Sequence, residues 1–241
     1  MYQMRKAGER GQTSLSWLDS QHTFSFGDYF DPRHRGVSAL RVLNDDRVRP
    51  GAGFGTHGHR DMEILTYVTE GAIVHEDSAG HREEVPAGEF QLMHAGKGIY
   101  HSEFNASQDE QLRFLQIWIM PDELGGRPGY EQKRFARVDG LQLIASRDGG
   151  DGCDGADGSL TVRQDVKVWR AVLAAGAQCA LPVVAPRIGY LHLVSGALET
   201  GGLSLGEADG VAIGEESLPR VTATATAEFL FFDLPAVTAA R

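Results

Sequence analysis

Two pairs of potential metal ligands stand out, each with one residue between its members. The first pair is His57 and His59, and the second is His101 and Glu103. On an extended strand, the side chains of residues i and i+2 leave from the same face, so each pair can point at one ion. If the two strands are neighbours, they supply three imidazole nitrogens and one carboxylate oxygen.

This donor set suits an ion that takes part in chemistry. Three nitrogens and one carboxylate suit Fe(II), and also Mn, Ni, Cu or Zn, and an octahedral ion held in this way keeps two open positions. Open positions indicate a reaction on a bound molecule, whereas structural ions are fully enclosed by protein ligands. We predict one divalent transition metal ion per chain, with Fe(II) as the favoured ion.

The carboxylate ligand has two candidates when only the residues are considered. Glu63 has the same position parity as His57 and His59, so a continuous strand would bring it to the ion beside them. If Glu103 is the ligand, we expect Glu63 to lie behind the ligands and to orient an imidazole. Substrate contact by His94, which lies nearest to the two pairs, is a lesser alternative to a structural role.

The remaining histidines and several large aromatic residues fit structural positions better than ligand positions. The histidines predicted to be satisfied or solvated are His22, His34, His75, His81 and His192. The aromatic residues predicted to be core are Trp17, Phe24, Phe26, Trp118 and Trp169.

The elements that must position the ligand pairs are short strands. Thirty glycines are spread through 241 residues, and no long stretch has apolar residues at helical spacing. This pattern predicts an all-β sandwich or barrel. The clearest predicted strands cover residues 40–43, 63–68, 72–76, 112–119, 166–173, 189–194 and 228–234.

Glycine markers recur along the chain and indicate a duplication. Gly51-Ala52 and Gly71-Ala72 return 125 residues later as Gly176-Ala177 and Gly196-Ala197. The segments that close the two halves also match, although their offset is shorter. We therefore predict two similar domains.

We place these domains at residues 1–133 and 134–241. At the offset of 125, His57 and His59 align with Pro182 and Val184. Because the second domain has no counterpart of the ligand pairs, we predict that it covers or braces the first.

Composition excludes several classes of partner. The chain has 33 acidic and 23 basic residues, and a net charge of -10 would repel a phosphate backbone, so we expect no direct nucleic-acid binding. No apolar run is long enough to span a membrane. Cys153 and Cys179 form no paired framework, and residues 1–12 lack a signal-peptide core. These features predict a cytoplasmic protein, which we expect to be a monomer.

The aspartate-rich segment at 148–158 fits an exposed turn better than a calcium loop.

The motifs around the ligand pairs resemble the cupins and, more specifically, the pirins. As in cupins, a glycine precedes the His-x-His pair by six positions, and a Gly-x5-Pro-x-Gly segment follows at 80–88. His101 then comes thirteen residues after Gly88, a longer spacing than in general cupins but one similar to pirins. The segments that carry the pirin resemblance are 23–29, 41–46, 59–63, 95–99 and 101–103.

This resemblance implies a bicupin, with two tandem cupin or jelly-roll β-barrels and the metal ion in the first barrel. Pirins use the glutamate two residues after the last histidine, so the resemblance favours Glu103 over Glu63. It also implies a metal-dependent dioxygenase of the bacterial quercetin 2,3-dioxygenase type. Such an enzyme opens a flavonol-like substrate with dioxygen and releases carbon monoxide, and Glu103 would accept the substrate's hydroxyl proton.

A second hypothesis also follows from the resemblance, because eukaryotic pirins are described as transcriptional coregulators. The chain would then be a metal-dependent redox sensor that acts through a protein partner, without turnover. A third hypothesis is that flavonol cleavage is a side activity and the physiological substrate is another molecule.

Overall fold

The computed structural model describes residues 2–150, 158–214 and 219–236. Within these ranges the chain forms β-strands and one 3₁₀ turn, Ala7–Glu9, which follows β1 (Tyr2–Arg5). The predicted all-β class is confirmed. No helix in the described residues is long and apolar enough to cross a membrane. Residues 151–157 of the aspartate-rich segment, including Cys153, lie outside the described residues.

The first half forms a seven-stranded and a four-stranded sheet. Its strands are β2 (Gly11–Ser14), β3 (Leu18–His22), β4 (Leu40–Val48), β5 (Gly53–His59), β6 (Glu63–Glu70), β7 (Ala72–Asp77), β8 (Arg82–Pro86), β9 (Glu89–His94), β10 (Ile99–Asn105), β11 (Leu112–Ile119) and β12 (Gly129–Arg134). The large sheet has the order β12-β9-β6-β11-β4-β3-β2, and the small sheet has the order β5-β10-β7-β8.

The second half repeats this division into two sheets. Its strands are β13 (Gly140–Ser146), β14 (Leu160–Thr161), β15 (Lys167–Leu173), β16 (Gln178–Ala180), β17 (Ile188–Ser195), β18 (Ala197–Thr200), β19 (Leu203–Gly206), β20 (Gly210–Ile213), β21 (Arg220–Ala223) and β22 (Ala227–Leu234). The large sheet has the order β1-β20-β17-β22-β15-β13-β14, and the small sheet has the order β16-β21-β18-β19.

One strand crosses between the halves. β1 pairs antiparallel with β20, so residues 2–5 complete the large sheet of the second half. The predicted boundary between residues 133 and 134 assigns residues 2–5 to the first domain, although they pair with the second half. The boundary itself stays a prediction.

The pairing register supports the duplication. In the first half Phe54 pairs with Glu103, and in the second half Cys179, 125 residues after Phe54, pairs with Val221. The register also shifts at the same place in both halves. The pairing of β11 with β6 shifts between Arg113 and Phe114, and the pairing of β22 with β17 shifts between Glu228 and Phe229. The two barrels are therefore copies of one strand arrangement.

The glycine markers recur because the backbone requires glycine there. Their φ angles lie in the left-handed region, where other residues are strained: +67° at Gly51, +74° at Gly71, +82° at Gly176 and +87° at Gly196. A Cβ at Gly71 would lie 2.9 Å from a backbone carbonyl oxygen, and one at Gly196 would lie 2.1 Å from another. At Gly71 and Gly196, the same tight turn thus carries the chain from a strand of the large sheet to a strand of the small sheet, from β6 to β7 and from β17 to β18.

The two large sheets share one hydrophobic core. Alternate residues of β11 point in opposite directions, and Leu115 and Ile117 pack with Tyr190 and Phe232 of the second half. On the other face of β11, Phe114 packs inside the first barrel. The second half therefore covers the back of the sheet whose front faces the ligand pairs.

Candidate metal centre

The ligand pairs meet on two neighbouring strands of the small sheet. His57 and His59 end β5, and His101 and Glu103 lie on β10, with His57 and His101 directly opposite each other. Nitrogen atoms of the three histidines all lie within 4.8 Å of one another. The predicted convergence of the three imidazoles is therefore present in the fold.

The spacing of these nitrogens fits a metal ion. The Nε2 atoms of His57 and His101 are 3.0 Å apart. Two ligand atoms about 2.1 Å from one octahedral ion, at right angles to each other, are about 3.0 Å apart. The Nδ1 of His57 donates to the carbonyl oxygen of Gly55 over 2.8 Å, which leaves its Nε2 lone pair directed at the cluster.

The surroundings of the histidines favour the neutral, metal-binding form. Burial, followed by the neighbouring His57, lowers the pKa of His59 to about 4. Burial and then the charges of His57 and His59 lower the pKa of His101 to about 2. These two rings are therefore neutral at pH 7, and a metal ion need not displace their protons.

Glu103 is a buried carboxyl group that only neutral groups contact by hydrogen bonds. Its oxygens accept from the amides of Gln116 at 3.1 Å and Gln91 at 3.5 Å. Burial, followed by the charge of Asp46, raises the pKa of Glu103 to about 7. A bound cation would supply the missing opposite charge, because an isolated buried carboxylate is costly. One carboxylate oxygen of Glu103 lies within 4.8 Å of a ring nitrogen of His101 and of a ring nitrogen of His75.

Glu63, the alternative carboxylate, points elsewhere. It accepts from Nδ1 of His94 over 2.7 Å and from the backbone amide of Arg163 over 2.9 Å. It therefore orients an imidazole, as we expected, but the ring is that of His94 and not that of a ligand. Within the described residues, neither Glu63 nor His94 belongs to a donor cluster or lines the site cavity.

A cavity of about 250 Å³ opens beside the ligands, and aromatic side chains form one wall. Trp118 packs edge-on against His59 with ring centroids 4.9 Å apart, and Phe26 packs edge-on against Trp118 at 5.4 Å. Phe54, which also lines the cavity, lies near His57 with ring centroids 6.4 Å apart. Phe26 and Trp118, predicted to be core residues, thus line the cavity.

Polar side chains also line the cavity, and one of them, His22, lies against Phe26 with ring centroids 5.3 Å apart. His22 exchanges hydrogen bonds with Thr13 at 2.8 Å and Asn44 at 2.9 Å, and Ser20 donates to Asp46. Burial raises the pKa of Asp46 to about 7. The cavity can therefore hold a flat aromatic molecule that also carries hydroxyl groups.

His75 is the site residue that sequence reasoning missed. It is fully buried, and its Nδ1 is 3.5 Å from Nδ1 of His101. The spacing of His75 and Asp77, again two residues apart on a strand, was the available signal. What the sequence did not show is that β7 lies beside β10.

Comparison with known proteins agrees with this architecture. The Pirin family model matches residues 3–119, and the model described as Quercetinase C-terminal cupin domain matches residues 143–234. The chain is 49% identical over 237 residues to a quercetin 2,3-dioxygenase of Escherichia coli K12, covering 98% of this chain and 100% of that protein. It is 40% identical over 223 residues to a pirin-like protein of Caulobacter vibrioides, covering 92% and 95%.

Solved structures show the same fold. The crystal structure of the bacterial pirin YhhW from Escherichia coli in complex with nickel(II) superposes with a TM-score of 0.93 at 49% identity, covering 98% of this chain and all of that one. A quercetin 2,3-dioxygenase from Acinetobacter baumannii gives a TM-score of 0.78 at 20% identity, covering 96% and 85%, which shows the fold alone. The predicted pair of cupin-type barrels is confirmed, and the chain belongs to the pirin family.

Proposed function

We propose that this chain is a metal-dependent dioxygenase that opens a flavonol-like aromatic substrate. In this proposal His57, His59, His101 and Glu103 hold one Fe(II) ion. One observation carries the proposal: three convergent imidazoles and a buried carboxyl group with only neutral partners lie beside an aromatic-walled cavity.

The relatives support this proposal from a separate direction. Several of them are named quercetin 2,3-dioxygenase, and one related structure contains nickel(II). Nitrogen and oxygen donors generally bind Ni(II) more tightly than Fe(II), so nickel in a relative is compatible with iron as the working metal here.

The residues divide the work between them. When bound, the metal ion supplies Lewis-acid stabilisation of an ionised substrate hydroxyl and an open position for dioxygen. Glu103, within reach of the ionised hydroxyl at the same ion, accepts the hydroxyl proton. Gln91 and Gln116 hold the carboxylate in place while it does so.

The cavity selects the shape of the substrate. Its volume of about 250 Å³ lies just below the range of about 300 to 1,000 Å³ in which drug-sized ligands usually bind. In this proposal a flat aromatic system packs against Phe26, Phe54 and Trp118, and its hydroxyl groups bond to polar residues of the same lining.

Dioxygen uptake by Fe(II)-loaded protein supplied with quercetin tests the proposal, with carbon monoxide release measured in parallel. We expect both signals in the unaltered protein and in His34→Ala, a histidine outside the cavity. We expect neither in His57→Ala once its folding and metal content have been measured.

A folded, iron-loaded protein that consumes no dioxygen would contradict the proposal. The redox-sensor hypothesis would then predict different conformations of the Fe(II) and Fe(III) forms, which hydrogen exchange can compare. Uptake with other dihydroxylated aromatics but not with quercetin would retain the oxygenase and replace the substrate.

A further inference from the structure

A row of polar side chains lies behind His101. This ring turns its Nε2 toward His57 and its Nδ1 toward Nδ1 of His75, 3.5 Å away. His75 directs its Nε2 at Asp77 over 3.3 Å, and Asp77 accepts from Nδ1 of His81 at 2.9 Å. The row thus connects the ligand cluster to a partly exposed histidine.

The carboxylate sets the direction of the hydrogen bonds in this row. An ionised Asp77 can only accept, so Nε2 of His75 must donate to it. A neutral imidazole carries one ring hydrogen, so Nδ1 of His75 must accept, and Nδ1 of His101 must donate to it. His101 is then left with an Nε2 lone pair that faces the cluster, which is the form that binds metal.

Neighbouring contacts agree with these roles. The amide of Gln91 also donates to Nδ1 of His75 over 3.3 Å, so this nitrogen is an acceptor whose single lone pair is shared by Gln91 and His101. Asp77 also accepts from the backbone amides of Ala79 at 2.8 Å and His81 at 3.2 Å, which suits an ionised carboxylate.

Packing holds the row in place. Tyr130 lies across it, with its ring centroid 4.9 Å from that of His75 and 5.2 Å from that of His81. Strand pairing sets Asp77 directly opposite His101. His75 is fully buried, and side chains in close-packed interiors are held in one orientation.

We propose that His75, held by Asp77, is a positioning residue that sets the tautomer of the ligand His101. This inference rests on the metal site of the proposed function. His75, His101 and Glu103 also form a donor group of their own. Ligation by His75 itself is disfavoured, because one of its nitrogens faces Asp77 and the other faces His101.

The substitution Asp77→Asn tests the direction of the row. The remaining oxygen still accepts from the two backbone amides, but the new amide nitrogen faces His75 and donates to it. The tautomer of His75 then reverses, and His101 must carry its hydrogen on Nε2. Glu76→Gln is the matched control, because it removes the same charge from the exposed face of the same strand.

The ring tautomers can be assigned from two-bond ¹⁵N–¹H correlation spectra of the metal-free protein. We expect His101 to carry its hydrogen on Nδ1 in the unaltered protein and in Glu76→Gln, and on Nε2 in Asp77→Asn. The same tautomer in all three proteins would overturn the proposal. This readout does not depend on activity.

Nickel(II) titration provides a second readout. We expect Asp77→Asn to bind Ni(II) about 10- to 100-fold more weakly, as is typical when an outer partner of a ligand is lost, and Glu76→Gln to bind as the unaltered protein does. If the unaltered protein binds no Ni(II), the metal site itself is wrong, and the tautomer comparison still decides the role of His75. If Ni(II) binds equally to Asp77→Asn, only the positioning role is wrong.

A further pair of variants guards against misfolding of Asp77→Asn. His75→Gln keeps an oxygen that can accept from His101, whereas His75→Leu does not. We expect Ni(II) affinity to be partly retained in His75→Gln and lost in His75→Leu. Equal losses in two folded variants would contradict the proposal.

Discussion

The small sheets of the two barrels share one register but have opposite interiors. Glu103 and His75 pair with each other in the first, and Val221 and Thr200 occupy the same pair of places in the second. Val221 belongs to a continuous apolar cluster, whereas Glu103 lies among amides and imidazoles. The fold therefore accepts either a hydrophobic core or a polar site at the same strand positions.

This difference shows why one barrel can carry the chemistry. A polar interior gives up apolar burial, which is the main source of stability. The second barrel retains that burial and packs its large sheet against the first. The second barrel thus keeps the apolar interior that the first barrel replaces with polar groups at these positions.

The strongest way to break the comparison is to place the glutamate of the first barrel in the second. In Val221→Glu a carboxyl group enters a fully buried apolar site with no partner. We expect a loss of about 3 to 5 kcal/mol in the free energy of unfolding, the usual cost of an uncompensated buried charge. Denaturant unfolding measures it. Thr222→Glu, one residue along on the outward face, would lie opposite Glu199 and should cost only about 0.2 to 1 kcal/mol. Equal losses in the two variants would refute the equivalence.

The next largest effect is expected in the pH dependence of metal binding, which tests the buried carboxyl group that only the first barrel has at this pair of positions. Glu103 must lose a proton to bind a cation, and its pKa is raised to about 7, whereas those of His59 and His101 lie at about 4 and 2. We expect Ni(II) affinity to rise about tenfold per pH unit between pH 5 and 7 and to level off above. Titrations of Glu103→Gln should show weaker binding and lose this rise. Asp46→Asn should keep the rise but move it to lower pH, because the charge of Asp46 contributes to the raised pKa of Glu103. Loss of the rise in Asp46→Asn would assign the proton to Asp46.

The stability of the metal-free protein should change in the opposite sense. The folded-state pKa of Glu103 is raised, so the folded protein holds a proton between about pH 4.5 and 7 that the unfolded chain has released. Stability is therefore full below pH 4.5 and declines up to pH 7. Glu103→Gln should stabilise the metal-free protein by about 2 to 3 kcal/mol at pH 8 and not at pH 4. Unfolding curves that show no gain at pH 8 would contradict this.

The smallest expected effect comes from adding a ligand to the second barrel. Val184 aligns with His59 but lies beyond the end of β16 at Ala180 and is half exposed. We expect Val184→His to leave metal content at one ion per chain and to change stability by less than about 0.5 kcal/mol. Metal analysis after dialysis measures the content. A second bound ion would contradict this expectation, because it would show that one added histidine is enough to make a metal site in the second barrel.

The sequence predicted much of this molecule because the relevant rules are local. A spacing of two residues places His57 with His59, and His101 with Glu103, on one face of any strand. Glycines with left-handed φ marked the repeated tight turns, because other residues are strained there. The all-β class, the duplication and the positions of the three convergent histidines followed from such short-range constraints.

Other features depended on which strands and faces meet. Glu63 has the right parity for a ligand, but β5 ends at His59 and Asp61 has a φ of +52°, so the strand does not continue and parity is lost. His75 enters the site only because β7 pairs with β10. Side-chain periodicity is determined by the covalent backbone, whereas strand order and sheet packing arise from contacts between distant segments. These contacts decided what surrounds the candidate metal site.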